Sequence, residues 1–265
     1  PPGINVNEDS ANTTALLLGL ATLAYGNGGG SDTGILDKGP DYGVVAANKI
    51  SIIGGSISNV KDGIVTKGGA DWTVLGGTYA GTGTGIVFSD LTGTNSITGA
   101  TLNNFNTGVF INNTDSVTAT LNFFNNDTTG IYALNSSKLQ LTGNIMNGIT
   151  ETGIKLAGVS ESTLTANVIT AALGNISAGI SSIFFDGSNY NGNTYTANVV
   201  TGFGTGMAVT GTGNASLKLN VLNNNANGIV LAYGANNNTV EGNIITDSTT
   251  GILTNYASDN LIKNN

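Results

Sequence analysis

The sequence predicts an all-β chain wound as a single right-handed parallel β-helix of about ten coils, each 22 or 23 residues long. Three observations predict it. A Gly followed by an apolar residue recurs at a nearly constant interval. An Asn recurs about fourteen residues beyond most of these glycines. The composition, with 40 Gly, 38 Asn, 36 Thr and only 9% charged residues, suits many tight turns between short strands.

The recurring glycines are Gly43, Gly63, Gly85, Gly108, Gly130, Gly153, Gly179, Gly206, Gly228 and Gly251, separated by 20, 22, 23, 22, 23, 26, 27, 22 and 23 residues. That period is too short for helical-hairpin repeats and fits one turn of a solenoid. The residues after them read Val44, Ile64, Ile86, Val109, Ile131, Ile154, Ile180, Met207, Ile229 and Ile252, an unbroken apolar column that must face the interior.

The Asn column is Asn122, Asn144, Asn167, Asn198, Asn220, Asn243 and Asn265, in which each amide is placed to bond to the next copy along the stack. Flanking it are two more apolar columns. One runs through Val74, Ile97, Ala119, Leu141, Leu164, Tyr195, Leu217, Val240 and Ile262, the other through Phe124, Met146, Ile169, Val200, Leu222 and Ile245. Each coil therefore supplies three short strands. Stacked at about 4.8 Å per coil, they make a rod roughly 48 Å long whose coils are stable only as a stack.

Segment 1–33 is expected as a lead-in or cap and 34–265 as the β-helix. Asn12 followed by Thr13 to Leu20 reads as an N-capped short apolar helix covering the first coil. The chain begins Pro1-Pro2 and stops within a coil at Asn265, so the native protein is expected to continue or to be covered there.

Asn144-Ile145-Met146 with Thr152-Gly153-Ile154-Lys155-Leu156, and Gly242-Asn243-Ile244-Ile245 with Thr250-Gly251-Ile252-Leu253, resemble the repeats of pectate-lyase-like parallel β-helix proteins. The resemblance spans about residues 34 to 265 and is specific for fold. That superfamily includes polysaccharide lyases, hydrolases, epimerases, tailspikes and adhesins, so the resemblance implies no single activity. Its pectate-cleaving members use Arg, Lys and acidic calcium ligands on one outer face. This chain has no Arg, which sets pectate-lyase chemistry aside.

Other absences narrow the function further. There is no Cys and no His, which removes disulfides, thiolate metal sites and the usual general base. A net charge of −8 argues against nucleic acid as a partner. The longest apolar run, Ala15 to Ala24, is too short to span a bilayer. Asp37, Asp41 and Asp62 match no calcium-loop spacing, and neither metal nor cofactor is assigned.

Glycoside hydrolysis needs only two suitably spaced carboxyl groups. The best pair is Asp127 and Glu151, which precede successive glycine anchors and are expected side by side, with Lys155 just beyond. A second candidate lies in the insertion after Phe184, where Asp186 and Tyr190 bring a carboxylate and an exposed ring together for sugar binding. Acidic turn residues are more often merely solvated surface.

Two outward columns are unusually apolar. One reads Val45, Val65, Val87, Phe110, Tyr132, Lys155, Ser181, Ala208, Val230 and Leu253; the other reads Phe123, Ile145, Val168, Val199, Val221 and Ile244. Strips of this length mark lateral packing against another chain, although β-branched residues also favour strands wherever they sit. A third outward row, Thr98, Thr120, Thr142, Thr165 and Thr196, is similar to ice-binding surfaces but runs into Lys218, Glu241 and Lys263. The leading expectation is an extracellular or surface-displayed structural or adhesive module that contacts itself or another surface protein. The alternative is a β-helix that binds or cleaves polysaccharide, acting as a carbohydrate-active hydrolase if it is an enzyme.

Overall fold

The computed structural model describes residues 15–18, 22–24, 42–46, 50–66, 68–184 and 192–265. Its strands form three parallel sheets of 11, 10 and 10 strands. Sheet A runs from Ala15–Leu18 to Leu261–Lys263, sheet B from Thr22–Ala24 to Ile244–Thr246, and sheet C from Tyr42–Ala46 to Thr250–Asn255. One coil takes a strand from C, then A, then B, as in Thr107–Asn112, Val117–Thr120 and Phe123–Asn125. Each strand then pairs with its counterpart one coil on, so Val109 faces Ile131, Ala119 faces Leu141 and Phe124 faces Met146.

The three inward columns meet in one continuous core. Ile64, Ile86, Val109, Ile131 and Ile154 from sheet C pack with Ile97, Leu141 and Leu164 from A and Phe124, Met146 and Ile169 from B, all buried. Every expected core column is therefore interior wherever the coil is covered on both sides. Parallel stacking pairs interior backbone groups with the coils above and below, which lets so thin a core exclude water.

The corner between sheets A and B is a two-residue bend. Its first residue has a left-handed backbone at Gly99, Leu121, Gly143, Ala166, Ala197, Leu219 and Gly242. After Gly99 the second residue is Ala100; from Leu121 onward it is the ladder Asn, whose bonds make that bend worth adopting even where Leu or Ala must take a disfavoured conformation.

The glycine anchors have a different cause. None of Gly63, Gly85, Gly108, Gly130, Gly153, Gly179, Gly206 and Gly228 requires a left-handed backbone; what they lack is space for a side chain. From Gly85 to Gly228, a Cβ would lie 2.5 to 3.0 Å from the carbonyl oxygen of the next anchor glycine, closer than unbonded atoms approach. At Gly153 it would also strike the Ile169 side chain. Gly153→Ala is therefore expected to destabilise the rod by about 1–3 kcal/mol, read as a lower denaturation midpoint. Gly251→Ala, which meets nothing within 4 Å, is expected to leave the midpoint unchanged.

The expected capping helix is corrected in part. Ala15–Leu18 is a strand in parallel register with Ile50–Ile53, and Thr22–Ala24 pairs with Ser56–Ser58. A short apolar run bounded by small residues reads locally as helix or strand, and here the open edge of the next coil supplies hydrogen-bond partners that favour the strand. The rest of that segment lies outside the described residues. The longer coil between Gly153 and Gly179 bulges from the rod: Leu173 and Ile176 stand out into solvent. Their loop is tied down by Asn175, whose amide donates to the Ile149 and Glu151 carbonyls at 3.0 and 2.8 Å.

Candidate functional site

Asp127 and Glu151 are brought together along the backbone and kept apart as side chains. The Thr150 and Glu151 amides donate to the Asp127 and Thr128 carbonyls at 3.2 and 2.9 Å, so the two residues share a corner in successive coils, with Glu151 over Thr128 and one position out of register with Asp127. Yet Asp127 is 0% exposed, its Oδ1 accepting the Phe105 amide at 2.7 Å, whereas Glu151 is exposed. Burial pushes the Asp127 carboxyl up to about 7, partly opposed by the Phe105 bond. A sugar polymer on the rod surface cannot touch it, so the expected hydrolytic pair is not assembled. Residue spacing places the two on one corner; only the corner's winding decides that one side chain turns inward. Asp186 and Tyr190 lie outside the described residues. Phe184, at the start of that insertion, is half-buried, and Tyr195 beyond it is core.

The outward column of sheet C is a ladder in register, from Val65 through Val87, Phe110, Tyr132, Lys155, Ser181, Ala208 and Val230 to Leu253. Most of it is half-buried rather than fully exposed, because neighbours along the row cover one another. The Phe110 and Tyr132 rings lie 5.3 Å apart, tilted by 49°, and the Lys155 ammonium sits 5.0 Å from the Tyr132 ring centre. Two rings and a cation thus make one chemically distinct patch on a row that is otherwise aliphatic apart from Ser181.

Sheet B carries the other apolar column. Phe123, Ile145, Val168, Val199, Val221 and Ile244 stack in register over six coils, with Phe123 42%, Val168 37% and Ile244 58% exposed. Beside it, at the corner, Leu121 and Leu219 are exposed and lean over the glycines of the following coil, Gly143 and Gly242. These leucines were not singled out from sequence. Their signal is the position just before the ladder Asn, otherwise held in the described coils by Gly, Ala or, at Asn264, Asn. On sheet A the Thr row ends, as expected, in charge: Glu241 lies 3.3 Å from Lys218 and 3.1 Å from Lys263, which hold its carboxyl below the usual range.

Among the described residues, no group of three or more His, Cys, Asp or Glu is placed to hold a metal ion, and no helix is long and apolar enough to cross a membrane.

The family model for the right handed beta helix region matches residues 107–265. The chain belongs to that family. This β-helix is similar in fold to PfbA, a surface adhesin of Streptococcus pneumoniae, with a TM-score of 0.59 and 14% identity over 82% of this chain and 70% of that one. It is also similar to DFA-IIIase from Arthrobacter chlorophenolicus A6, with a TM-score of 0.57 and 11% identity over 86% of this chain and 65% of that one. The A-module of the Azotobacter vinelandii mannuronan C-5 epimerase AlgE4 follows, with a TM-score of 0.51 and 13% identity over 91% and 85% of the two chains. No curated protein sequence shows significant similarity to it. An adhesin, a DFA-IIIase and an epimerase share the scaffold, so a function for this β-helix has to be argued from its own surface.

Proposed function

We propose that the chain is an extracellular or surface-displayed adhesive rod that works through lateral contacts with protein. One observation carries this reading: the column from Phe123 to Ile244 is apolar, partly exposed and rigidly spaced over six coils. At about 4.8 Å per coil it runs roughly 24 Å along the rod, and the corner leucines widen it. A continuous uncharged strip on a chain of net charge −8 is where such a molecule can be approached without repulsion. The likeness in fold to a surface adhesin supports the reading.

The test is sedimentation of the wild type and of a variant carrying Phe123→Lys, Val168→Lys and Ile244→Lys. These side chains point outward, so the melting temperature is expected to stay within a few degrees. The wild type is expected to associate as its concentration rises, more strongly at higher salt because screening relieves the like charge, and the variant to remain monomeric. A wild type that stays strictly monomeric throughout would overturn self-association.

A second reading is glycan binding on sheet C, favoured by the Phe110, Tyr132 and Lys155 patch. Rings offer flat faces to sugars, and the ammonium suits a polar or acidic substituent beside them. Hydrolysis has less support, since Asp127 is enclosed.

A further inference from the structure

The corner between sheets C and A carries a feature that neither reading uses. The residue opening each turn there reads Asp90, Asn113, Asn135, Gly158 and Phe184 in successive coils, each amide donating to a carbonyl of the coil that follows. Two clefts lie on this corner, of about 460 and 380 Å³, each within the size range of small-ligand sites. Asp90, Thr92, Asn113 and Asp115 line the first. The second shares Asp115 and adds Asn135, Ser137 and Ser160, with Phe184 as an aromatic wall. Gly158 leaves the space open: a Cβ there would come within 2.8 Å of the Asn135 side-chain oxygen. Asp115 joins the two clefts, its Oδ1 accepting the Ser137 amide and hydroxyl at 2.6 and 2.9 Å. Together they form a groove parallel to the rod axis, five coils or about 19 Å long at 4.8 Å per coil.

The lining restricts the ligand. It offers carboxylates, amides and hydroxyls at the repeat of the coils plus one aromatic wall, which suits a chain of polyhydroxylated rings with alternating polar edges and apolar faces. Both ionisable residues that line it are acids. The Asp90 carboxyl is held below its ordinary range by bonds from the Asn113 amide and the Ser89 hydroxyl, so it carries charge at neutral pH. Lys138, next in the chain to Ser137, is exposed outside the lining. An extended polypeptide would need strand partners, but the turn amides are already bonded from coil to coil.

We propose that this corner groove binds a linear glycan of uncharged sugars and rejects uronate polymers. The site and its selectivity are independent of the sheet C patch.

The test is an amide chemical-shift titration of the ¹⁵N-labelled chain with β-1,4-linked hexaoses of glucose, mannose and N-acetylglucosamine, and with hexamannuronate as the acidic probe. At least one uncharged hexaose is expected to bind with a Kd of about 1 mM or tighter, shifting the amides of Asn113, Ser137 and Ser160, while hexamannuronate leaves them in place. Ser160→Trp, which fills the second cleft, is expected to weaken that binding at least ~10-fold. Asp115→Asn keeps the acceptor for Ser137 and is expected to let hexamannuronate shift the same amides. The proposal is overturned if no uncharged hexaose moves these amides, or if hexamannuronate binds the corner of the wild type equally well. Shifts confined to Phe110, Tyr132 and Lys155 would also sink it, while leaving the sheet C reading standing. Should Ser160→Trp fail to fold, the wild-type shift map decides alone.

Discussion

Asn167→Ala is expected to lower stability by about 2–4 kcal/mol, enough to remove a large part of the stability of an ordinary domain. The Asn167 side chain is wholly buried and fully engaged. Its amide donates to the Leu141 carbonyl at 2.8 Å and to the Asn198 side-chain oxygen at 2.9 Å. Its own oxygen accepts the backbone amide and the side-chain amide of Asn144, at 3.1 and 2.9 Å. Alanine removes this acceptor and leaves the buried Asn144 backbone amide facing a void too apolar to replace it. Identical bonds run from Asn122 to Asn265, so the defect interrupts a chain whose members polarise one another. Asn223→Ala is the control, because Asn223 is only half-buried and accepts from Thr246 at an exposed site; it is expected to shift stability by no more than about 0.5 kcal/mol. Denaturant midpoints for the two variants check this, and equal losses would mean that the ladder adds nothing beyond surface hydrogen bonding.

Asp127→Asn is expected to stabilise the rod, by an amount that depends on pH. Asn225 shows what the site prefers. Its Oδ1 accepts the Phe203 amide at 2.9 Å while its amide donates to the Val200 carbonyl at 3.1 Å. Asp127 makes the first bond, to Phe105, but its Oδ2 is buried with no hydrogen-bond partner among the described residues. An amide at 127 restores a donor where the Leu102 carbonyl corresponds to that of Val200. With the native carboxyl pushed up to about 7 by burial, and the unfolded one near 3.9, the folded state holds a proton that the unfolded state releases between those values. The contribution of Asp127 is therefore fully present below about pH 4, declines as pH rises to about 7, and is constant above that. At about 1.4 kcal/mol per pH unit the ceiling is ~4 kcal/mol, so Asp127→Asn should gain on the wild type steadily from pH 4 to pH 7 and hold that advantage at pH 8. Comparing the two proteins at each pH cancels the opposite trend from Glu241, whose lysine partners favour its charged form. A difference that stays flat from pH 4 to pH 8 would show that Asp127 is not protonated in the native rod.

The two predictions mark where local pattern stops being enough. The ladder was legible because Asn recurs at a fixed distance from Gly, and equal spacing on a solenoid means stacking. At 127 and 151 the spacing to the anchors differs by one residue, and spacing places a residue on a corner without saying which way its side chain turns. The winding of that corner sends Asp127 inward and Glu151 to solvent. For Ala15–Leu18 the local signals suit a helix, and only the free edge of Ile50–Ile53 makes the strand the better-bonded choice.

From residues alone came the period, the three inward columns, the Asn ladder and the absence of the side chains that most catalysts use. These are properties of a one-dimensional repeat, in which each coil sees only its neighbours and the pattern of one coil is the pattern of all. Tertiary structure decided the rest. It shows that the anchors must be Gly because the carbonyl of the adjacent coil occupies the space of a Cβ, that a carboxyl in an Asn site is enclosed, and that acids, amides and one ring line a common groove. Each depends on how closely coils approach and which way a corner bends, distances between residues more than twenty positions apart that no local pattern encodes.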